Sequence, residues 1–397
     1  MWKVRYGQMQ IKAFRRPDGT YGIRNKILIL PSVGCANETA RSIAEQVDGA
    51  IYVPNPKGCG QVGKSLEITR RTLLGFASNP NIYGTIVVGL GCETVQPQAL
   101  FEEIKNHSLK PTELLIIQDE GGTVRTVEKG IRLASAMAQE MSKQQREPAD
   151  ISCLLLATNC GGSDATSGIS ANAALGYCSD LIVKEGGSVI LGETTEFIGA
   201  EHILSRRAKD DNVRKNLLHI VHSLEKEFIE KGIDLRGANP SPGNIRGGLS
   251  TLSEKSLGSI VKGGTSAVNE VVKYAEKPSQ KGLIIMDTPG YDIESVTAMA
   301  AGGAQLCVFT TGRGTPIGNA LIPVIKVTGN PRTFENMRDN MDVDASSIIR
   351  GTQTIAECGD QLFNEIIDVC NGKLTKAETY NFSESAIYRP QEPWCSW

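Results

Sequence analysis

Four cysteines of the sequence lie in glycine-containing loops that follow apolar runs. Cys59 lies between Gly58 and Gly60, Cys92 follows Gly91, Cys160 precedes two glycines, and Cys35 follows Gly34. Thiolates ligate iron and iron–sulfur clusters, and they also act as nucleophiles. The alternative is that these cysteines are small buried residues without chemistry, since free cysteine is among the most buried residue types. We predict that Cys59, Cys92 and Cys160 are metal ligands.

Three glutamates are closely spaced after a later apolar run. Glu193, Glu196 and Glu201 occur within nine residues, and His202 follows them. Carboxylates suit iron(II), manganese or magnesium, and one of them could act as a general base. The alternative is a solvated helix start, where acidic residues are favoured by the helix dipole. We predict Glu193 and Glu196 as catalytic residues and Glu201 as a metal ligand.

The segment from Thr158 to Asn172, TNCGGSDATSGISAN, lies between an apolar run at 151–157 and a helix-like segment at 173–184. A loop that joins a strand to a helix in this way directs backbone N–H groups and a positive dipole end toward a ligand. We predict Asp164 as a catalytic residue and Ser163 as a substrate contact. Alternatively, either side chain only caps the helix.

Arg313 lies among glycines and hydroxyls in the segment TTGRGT. A guanidinium in such a loop forms a two-pronged contact with a carboxylate. We predict that Arg313, Thr310 and Thr311 bind the substrate, together with Arg24 and Asn25. An HExxH motif is absent, which disfavours zinc hydrolysis.

Short apolar runs that end in glycine-rich loops alternate with helical patterns along the chain. This alternation predicts an α/β fold with mainly parallel sheets, whose strand ends would carry the residues above. The polar segment 137–148 ends in proline and predicts a boundary there. We expect a first α/β domain at 1–147 and a Rossmann-like catalytic domain at 148–397.

The composition excludes several classes of protein. The 397 residues carry a formal net charge of −2 without a Lys/Arg tract, which disfavours a nucleic-acid partner. An apolar run long enough to span a membrane is absent, and the first residues do not resemble a signal peptide. The ten cysteines lack the compact spacing of a disulfide framework. We therefore predict a cytoplasmic protein with reduced thiols.

Long segments of the chain resemble the altronate/galactarate dehydratase family. They include RPDGTYGIRN, PSVGCAN, KGCGQ, VVGLGCE, NCGGSDATSGISANAALG, GETTEFIGAEHIL and MDTPGYDIESVTAMAAGGAQLCVFTTGRGTPIGN. The resemblance implies a dimer-forming first domain, a Rossmann-like second domain and an iron(II)-dependent hydro-lyase that acts on sugar acids. One departure is that relatives place histidine just before the GCG loop, where this chain has Asn55 and Lys57.

The resemblance predicts loss of water from a 2,3-dihydroxy acid to give a 2-keto-3-deoxy acid. Glu193 or Lys57 would take the proton next to the carboxylate, while Arg313 and Arg24 bind the substrate. The predicted cofactor is Fe2+, with Mn2+ or an iron–sulfur cluster as alternatives.

Two alternative functions of the chain, and one partner subunit, are also considered. A related lyase would expel sulfite from a sulfonated hydroxy acid, and a protein of another class would bind metal or sense redox state without catalysis. Fused members of the family carry a small β-clip module, whereas only fifteen residues precede Arg16 here. We expect a homodimer that is completed by a separate small β-clip subunit.

Overall fold

The computed structural model describes residues 9–390, so Cys395 and the first eight residues lie outside the described part of the chain. The first part of the chain forms two small sheets. Its strands are β1 (Gln10–Arg15), β2 (Tyr21–Gly22), β3 (Lys26–Pro31), β4 (Ala50–Tyr52), β5 (Ile82–Gly89), β6 (Thr112–Ile116) and β7 (Glu147–Asp150). Its helices are α1 (Asn37–Ala44), α2 (Gly63–Ser78), α3 (Pro97–Ser108) and α4 (Thr123–Met141).

The larger of these sheets is parallel, with the strand order β4-β3-β5-β6. The strand β3 is fully buried beyond its first residue, as expected for a strand covered by helices on both faces. The smaller sheet is antiparallel, because β1 pairs with both β2 and β7. The strand β7 includes the end of the predicted boundary segment, and the boundary itself stays a prediction.

The second part of the chain contains seven parallel strands. They are β8 (Leu155–Gly161), β9 (Ser188–Leu191), β10 (Val268–Val272), β11 (Gly282–Met286), β12 (Leu306–Thr311), β13 (Val324–Thr328) and β14 (Val343–Asp344). Their order in the sheet is β10-β11-β9-β8-β12-β13-β14. The predicted α/β class with mainly parallel sheets is therefore confirmed.

Eleven helices among the described residues accompany this sheet. They are α5 (Ala171–Lys184), α6 (Glu201–Arg206), α7 (Asp211–Glu230), α8 (Leu235–Ala238), α9 (Pro242–Arg246), α10 (Leu252–Ile260), α11 (Asp292–Ala301), α12 (Pro331–Asn336), α13 (Ser346–Ile349), α14 (Ile355–Cys370) and α15 (Lys376–Thr379). In the described part of the chain, every helix is too short or too polar to cross a membrane.

The strand β8 lies where the strand order reverses. The chain passes from β8 to β9 on one side, and it later returns to β12 on the other side of β8. In open α/β sheets, ligands bind at the carboxyl ends of the strands that flank such a reversal. The fold therefore places the end of β8, which carries Cys160, at the position where a ligand site is expected.

The two parts of the chain share a hydrophobic core. Leu28 and Phe76 of the first part belong to the same buried cluster as Ala157 and Phe309 of the second part. The helices α2 and α11 approach so closely that a Cβ added at Gly75 would lie 2.3 Å from the carbonyl oxygen of Ala301. This shared core joins the two parts of the chain.

Candidate functional site

Three potential metal ligands meet beyond the end of β8. Cys160, Glu193 and Glu196 each offer a ligand atom within 4.8 Å of the other two, and all three side chains are buried. Cys160 belongs to β8, Glu193 follows β9, and Glu196 ends a short 3-10 turn that starts at Thr194. Two adjacent parallel strands thus bring together residues that are more than thirty positions apart in the sequence.

The backbone at Glu193 adopts an unusual conformation that directs its carboxylate inward. Its φ of 69° lies in the left-handed region, which is unfavourable for residues other than glycine. The Thr288 hydroxyl holds this conformation by accepting the Glu193 N–H at 2.6 Å. The Glu193 carboxylate in turn accepts the N–H of Cys160 at 3.0 Å. Backbone strain of this kind is typical of functional sites.

Two lysines supply positive charge to this cluster. The Nζ atom of Lys262 lies 2.7 Å from Sγ of Cys160, 2.7 Å from Oε2 of Glu193 and 2.8 Å from the Ser259 hydroxyl. The Nζ atom of Lys255 lies 2.7 Å from Oε1 of Glu196. The two carboxylates therefore each have a buried or nearly buried ammonium partner, as charges in a protein interior require.

The pKa values of the cluster diverge because burial and charge act differently on each group. Burial raises the pKa of Glu193 to about 8, although Lys262 acts against this increase. At Glu196, burial also favours the neutral acid, but Lys255 and Lys262 outweigh it and lower the pKa. Burial together with both glutamates raises the pKa of Cys160 well above its usual range. A pair of carboxyls with separated pKa values is typical of acid–base chemistry.

A fourth acidic residue, Asp292, begins α11 beside the cluster. Its Oδ1 atom accepts a hydrogen bond of 3.2 Å from the Asn159 side chain. Burial, followed by the charge of Glu196, raises the pKa of Asp292 to about 7. A Cβ added at Gly161 would lie 2.2 Å from Oδ2 of Asp292, so glycine is needed there for the carboxylate to approach the strand end. Asp292 is thus poised to exchange a proton near neutral pH.

A cavity of about 660 Å³ opens over these residues. Its lining includes Cys160, Glu196, Lys255, Asp292 and Arg313. A neighbouring cavity of about 590 Å³ shares Cys160 and Lys255 with it. The protein also has larger cavities of about 730 and 950 Å³, but they do not reach Cys160 or Asp292. The 660 Å³ cavity is therefore the one that brings a ligand to the charged cluster.

Two buried oxygen atoms at this site lack a hydrogen-bond partner. They are Oε1 of Glu193 and Oδ1 of Asn159. A buried acceptor without a partner is costly, and a bound cation is one way to satisfy it. The residues therefore fit a divalent ion, which Cys160, Glu193 and Glu196 would hold. Lys262 occupies the other carboxylate oxygen of Glu193, so Oε1 is the free ligand atom.

Several predicted site residues are brought together at this cavity. Cys160, Glu193 and Glu196 form the cluster, and Arg313 lines the same cavity while Nη1 of its side chain donates to the Gly243 carbonyl. Ser163 and Asp164 line the neighbouring cavity. Asp164 mainly organises its own loop, because Oδ1 accepts from Thr166 and Ser167 while Oδ2 accepts from Asn330. Neither Ser163 nor Asp164 caps α5, contrary to the capping alternative.

Other predicted residues lie apart from the cluster. Cys59 and Cys92 are exposed on loops of the first part of the chain, and Lys57 is half-buried on the same loop as Cys59. Glu201 begins α6, where its Oε2 atom accepts the Gly199 N–H. Within residues 9–390, none of these four joins the three-residue ligand group. The expectation that Cys59, Cys92 and Glu201 share one metal site with Cys160 does not match this arrangement.

The structure gives Arg24 and Asn25 internal partners. All five N–H groups of Arg24 donate within the protein, to both carboxylate oxygens of Glu378 and to the carbonyls of Ile23, Val369 and Lys373. Asn25 accepts from Arg16 at 2.7 Å. Arg24 thus has no donor left for a substrate, so the substrate role predicted for it does not match the structure.

The two threonines of the TTGRGT segment also bond within the protein. The Thr310 hydroxyl donates to Oδ1 of Asn172, and the Thr311 hydroxyl accepts the Gly314 N–H at 2.9 Å. Both residues are buried at the end of β12. They shape the loop that carries Arg313, and their predicted contact with a substrate stays a prediction.

Sequence reasoning missed four residues of the cluster. They are Asn159, Lys255, Lys262 and Asp292. The signal for the lysines was their spacing of seven residues in a helical segment, which places two side chains on one face. The signal for Asp292 was its position in the segment DTPGYD, directly after a buried strand.

Two family descriptions match most of the chain. Residues 151–392 match the family described as D-galactarate/altronate dehydratase, C-terminal, and residues 13–142 match the one described as D-galactarate dehydratase/altronate hydrolase, second domain. The chain belongs to the D-galactarate/altronate dehydratase family. The resemblance predicted from sequence motifs is therefore confirmed, and so is the predicted enzyme class, a lyase.

Three curated relatives show how far the similarity extends. The (2R)-sulfolactate sulfo-lyase subunit beta of Chromohalobacter salexigens is 36% identical over 381 residues, which cover 96% of this chain and 97% of the relative. The altronate dehydratase of Bacillus subtilis is 34% identical over 388 residues, covering 95% and 77%. The galactarate dehydratase (L-threo-forming) of Escherichia coli is 36% identical over 384 residues, covering 91% and 73%.

Proposed function

We propose that the chain removes water from a 2,3-dihydroxy sugar acid and gives a 2-keto-3-deoxy acid, with a divalent iron ion at the cluster. One observation carries this proposal. Asp292, with a pKa raised to about 7 by burial and by Glu196, lines the same cavity as Arg313 and the ammonium of Lys255. A base, a carboxylate anchor and an acid are the three groups that such an elimination requires.

The substrate carboxylate would lie against Arg313, the only Arg side chain among the described residues that line this cavity. Its guanidinium forms one hydrogen bond within the protein, to the Gly243 carbonyl, and offers further N–H groups to a carboxylate. Binding at this anchor would place the C2 hydrogen toward the end of β8, where Asp292 and Glu196 lie. The anchor thereby fixes which carbon faces the base.

Asp292 would take the proton from C2, which leaves an enediolate, and the electron pair of the enediolate would then form the C2–C3 double bond as the C3 hydroxyl leaves. Lys255, whose ammonium is held by the Glu196 carboxylate, would donate the proton that turns the leaving hydroxyl into water. The enol product then becomes the 2-keto acid. A divalent cation bound by Cys160, Glu193 and Glu196 would supply positive charge that stabilises the enediolate.

Loss of sulfite from a sulfonated hydroxy acid is the second candidate activity. It shares the first step, removal of a proton next to a carboxylate. The observation in its favour is the match to the sulfo-lyase subunit beta, which the chain covers over 97% of its length.

We further propose a homodimer of this chain that works with a separate small β-clip subunit in the cytoplasm. Two observations support the small subunit. The chain covers 97% of a relative that is named as a subunit, but 77% and 73% of two relatives named as whole dehydratases. The site cavity, which the segment 238–244 helps to line, is also open to solvent, and a lid from a partner would exclude water from it.

The test is a substrate screen of the anaerobically purified chain with iron(II) and reductant, with and without a separately produced small β-clip protein. We expect 2-keto-3-deoxy acid from at least one aldonate or aldarate, and faster turnover with the small protein. Release of sulfite from a sulfonated hydroxy acid, without dehydration of any sugar acid, would favour the second candidate. Turnover of neither substrate class would overturn both.

Metal content of two variants tests the ion separately. We expect Glu196→Gln to lower the bound iron and Glu201→Gln to retain it, because the Glu201 carboxylate accepts the Gly199 N–H at the start of α6 instead of joining the cluster. Unchanged iron in Glu196→Gln would show that the cluster residues do not hold the ion.

A further inference from the structure

Three exposed cysteines lie at the carboxyl edge of the four-stranded parallel sheet. Cys35 follows β3, Cys59 follows β4, and Cys92 follows β5. The six other cysteines of residues 9–390 are buried or half-buried. Exposed thiols are prone to oxidation, so three of them at one sheet edge call for a chemical explanation.

The loops that carry these cysteines contact one another. The Gly34 N–H donates to the Lys57 carbonyl at 2.8 Å, and the Gly60 N–H donates to the Thr94 hydroxyl at 3.1 Å. A Cβ added at Gly58 would lie 2.0 Å from the Ser32 carbonyl oxygen, so only glycine permits this approach. Each cysteine is within two residues of such a contact, and consecutive Cα atoms are about 3.8 Å apart. The three thiols therefore border one small region.

Buried polar side chains hold the three loops in place. The Glu93 carboxylate accepts from the Ser32 hydroxyl at 2.6 Å and from the Gly91 N–H at 2.7 Å. Asn55 accepts the Lys57 N–H at 3.0 Å and donates to the Ser32 carbonyl at 2.9 Å. Glu93 and Asn55 are almost completely buried. The loops are thus fixed before any ligand binds, as a preorganised site requires.

The three cysteines also precede the N-termini of three helices. The helix α1 begins two residues after Cys35, α2 begins four residues after Cys59, and α3 begins five residues after Cys92. Helix N-termini carry partial positive charge, which favours thiolates and other anions. The edge is therefore suited to a ligand that binds through several thiolates.

The spacing of the sulfurs distinguishes between a single ion and a cluster. A tetrahedral ion with bonds of about 2.3 Å needs sulfurs about 3.8 Å apart. In the part of the chain that the structure describes, the three Sγ atoms do not form a group within 4.8 Å of one another. An iron–sulfur cluster distributes its thiolates over several iron atoms and accepts the wider spacing.

We propose that Cys35, Cys59 and Cys92 bind an iron–sulfur cluster, which leaves one iron without a protein thiolate. This site differs from the predicted set of Cys59, Cys92 and Cys160, because Cys160 is buried against Lys262. The proposal is independent of the substrate and of the ion at Glu193 and Glu196, and its test does not use activity.

The experiment is anaerobic reconstitution of the full chain with iron(III), sulfide and dithiothreitol, which reduces part of the iron to iron(II), followed by desalting. Iron and acid-labile sulfide are measured per chain, together with the absorbance near 400 nm and the electron paramagnetic resonance after reduction with dithionite. We expect about four iron and four sulfide per chain in the cluster. Cys35→Ser, Cys59→Ser and Cys92→Ser should each lose most of the sulfide and the absorbance.

Cys153→Ser is the matched control, since it removes a half-buried thiol away from this edge. It should retain the cluster, and the three edge variants should unfold at the temperature of the parent chain when both are free of cluster, because the replaced cysteines are exposed. Iron that binds without sulfide, or full sulfide in any of the three edge variants, would overturn the proposal. Loss of iron alone in Glu196→Gln, with sulfide retained, would separate the ion site from the cluster site.

Discussion

The ammonium of Lys262 lies 2.7 Å from Oε2 of Glu193, and both side chains are completely buried. Taking these two charges out of water costs several kcal/mol each, so the pair by itself is weak evidence of stability. The pair instead positions the side chains of the site, because Lys262 also contacts Cys160 and Ser259 and so fixes three groups around one nitrogen. The pair leaves Oε1 of Glu193 directed at the site without a protein partner.

Replacement of this lysine gives the first prediction. Above the Glu193 pKa of about 8, for example at pH 9, Lys262→Met leaves a buried carboxylate without its cation, and breaking such a pair costs about 3–5 kcal/mol. We expect that loss in the free energy of unfolding, measured with urea, and a loss of activity. The double variant Lys262→Met/Glu193→Gln should recover part of the stability because the unpaired charge is gone.

Lys110→Met is the control for the loss of a buried lysine. Lys110 is buried as well, but its ammonium contacts only the carbonyls of Ala77 and Asn79 among its hydrogen-bond partners. Activity per folded molecule should stay unchanged in this variant. Purely additive effects in the double variant would contradict the coupling between Lys262 and Glu193.

Asp292 gives the second prediction. Asp292→Asn keeps the size of the side chain but cannot accept the C2 proton, so kcat should fall by about 10²–10⁴ with the fold intact. Exchange of the C2 hydrogen with solvent deuterium should be lost together with turnover. Glu294→Gln removes a carboxylate from the same helix α11 and should leave both rates unchanged. Normal exchange in Asp292→Asn would assign the base to another residue.

The sequence predicted the strands better than the site. Apolar runs such as KILIL and GTIVVG mark strands buried on both faces, and the structure has β3 and β5 at these positions. Glycine-rich loops after the runs correctly indicated the carboxyl edge of the sheets. These features are local, so periodicity and turn chemistry suffice to find them.

The site depends on contacts between distant segments, which local patterns do not encode. Lys262 meets Cys160 across 102 positions of the sequence, and the Asn159 side chain meets Asp292 across 133. Cys59 and Cys160 have the same glycine-rich surroundings in the sequence, yet one is exposed and the other buried. Which thiols share a region is decided by the strand order in two separate sheets, and a one-dimensional motif does not contain that order.

The third prediction compares the replacement of Arg313 with the same replacement of Arg24. Arg313 lines the site cavity, whereas every N–H group of Arg24 bonds within the protein. Lysine cannot reproduce the planar fork of either guanidinium. We expect Arg313→Lys to lose about tenfold or more in kcat/KM without a change in unfolding. Arg24→Lys should lower the unfolding midpoint and retain kcat/KM, and the reverse pattern would exchange the two roles.

The pair of Arg24 and Glu378 gives the fourth prediction, which concerns pH. The two side chains form a two-pronged contact at 2.7 and 2.8 Å, with 8% and 12% of the side chains exposed. Burial opposes ionisation of Glu378, but the hydrogen bond and charge of Arg24 and the charge of Lys26 outweigh it and lower the pKa. In the unfolded chain, a glutamate has a pKa of about 4.3.

A pKa that is lower in the folded state means that the unfolded chain binds the proton more readily. The stabilisation is therefore fully present above about pH 4.3, and it is lost as the pH falls through the lower pKa of the folded protein. Glu378→Gln should cost about 3 kcal/mol of unfolding free energy at pH 7, because Arg24 is left buried without its partner. The difference from the parent chain should shrink as the pH falls below about 4.3.

Urea unfolding of the parent chain and of Glu378→Gln between pH 7 and pH 3.5 measures this difference. Glu365→Gln is the control, since Glu365 pairs with the half-exposed Lys373 at the surface and such pairs contribute at most about 1 kcal/mol. Its difference from the parent chain should be small throughout the range. A difference for Glu378→Gln that stays constant down to pH 3.5 would show that the carboxylate is not stabilised by Arg24, and the contact would then act through packing alone.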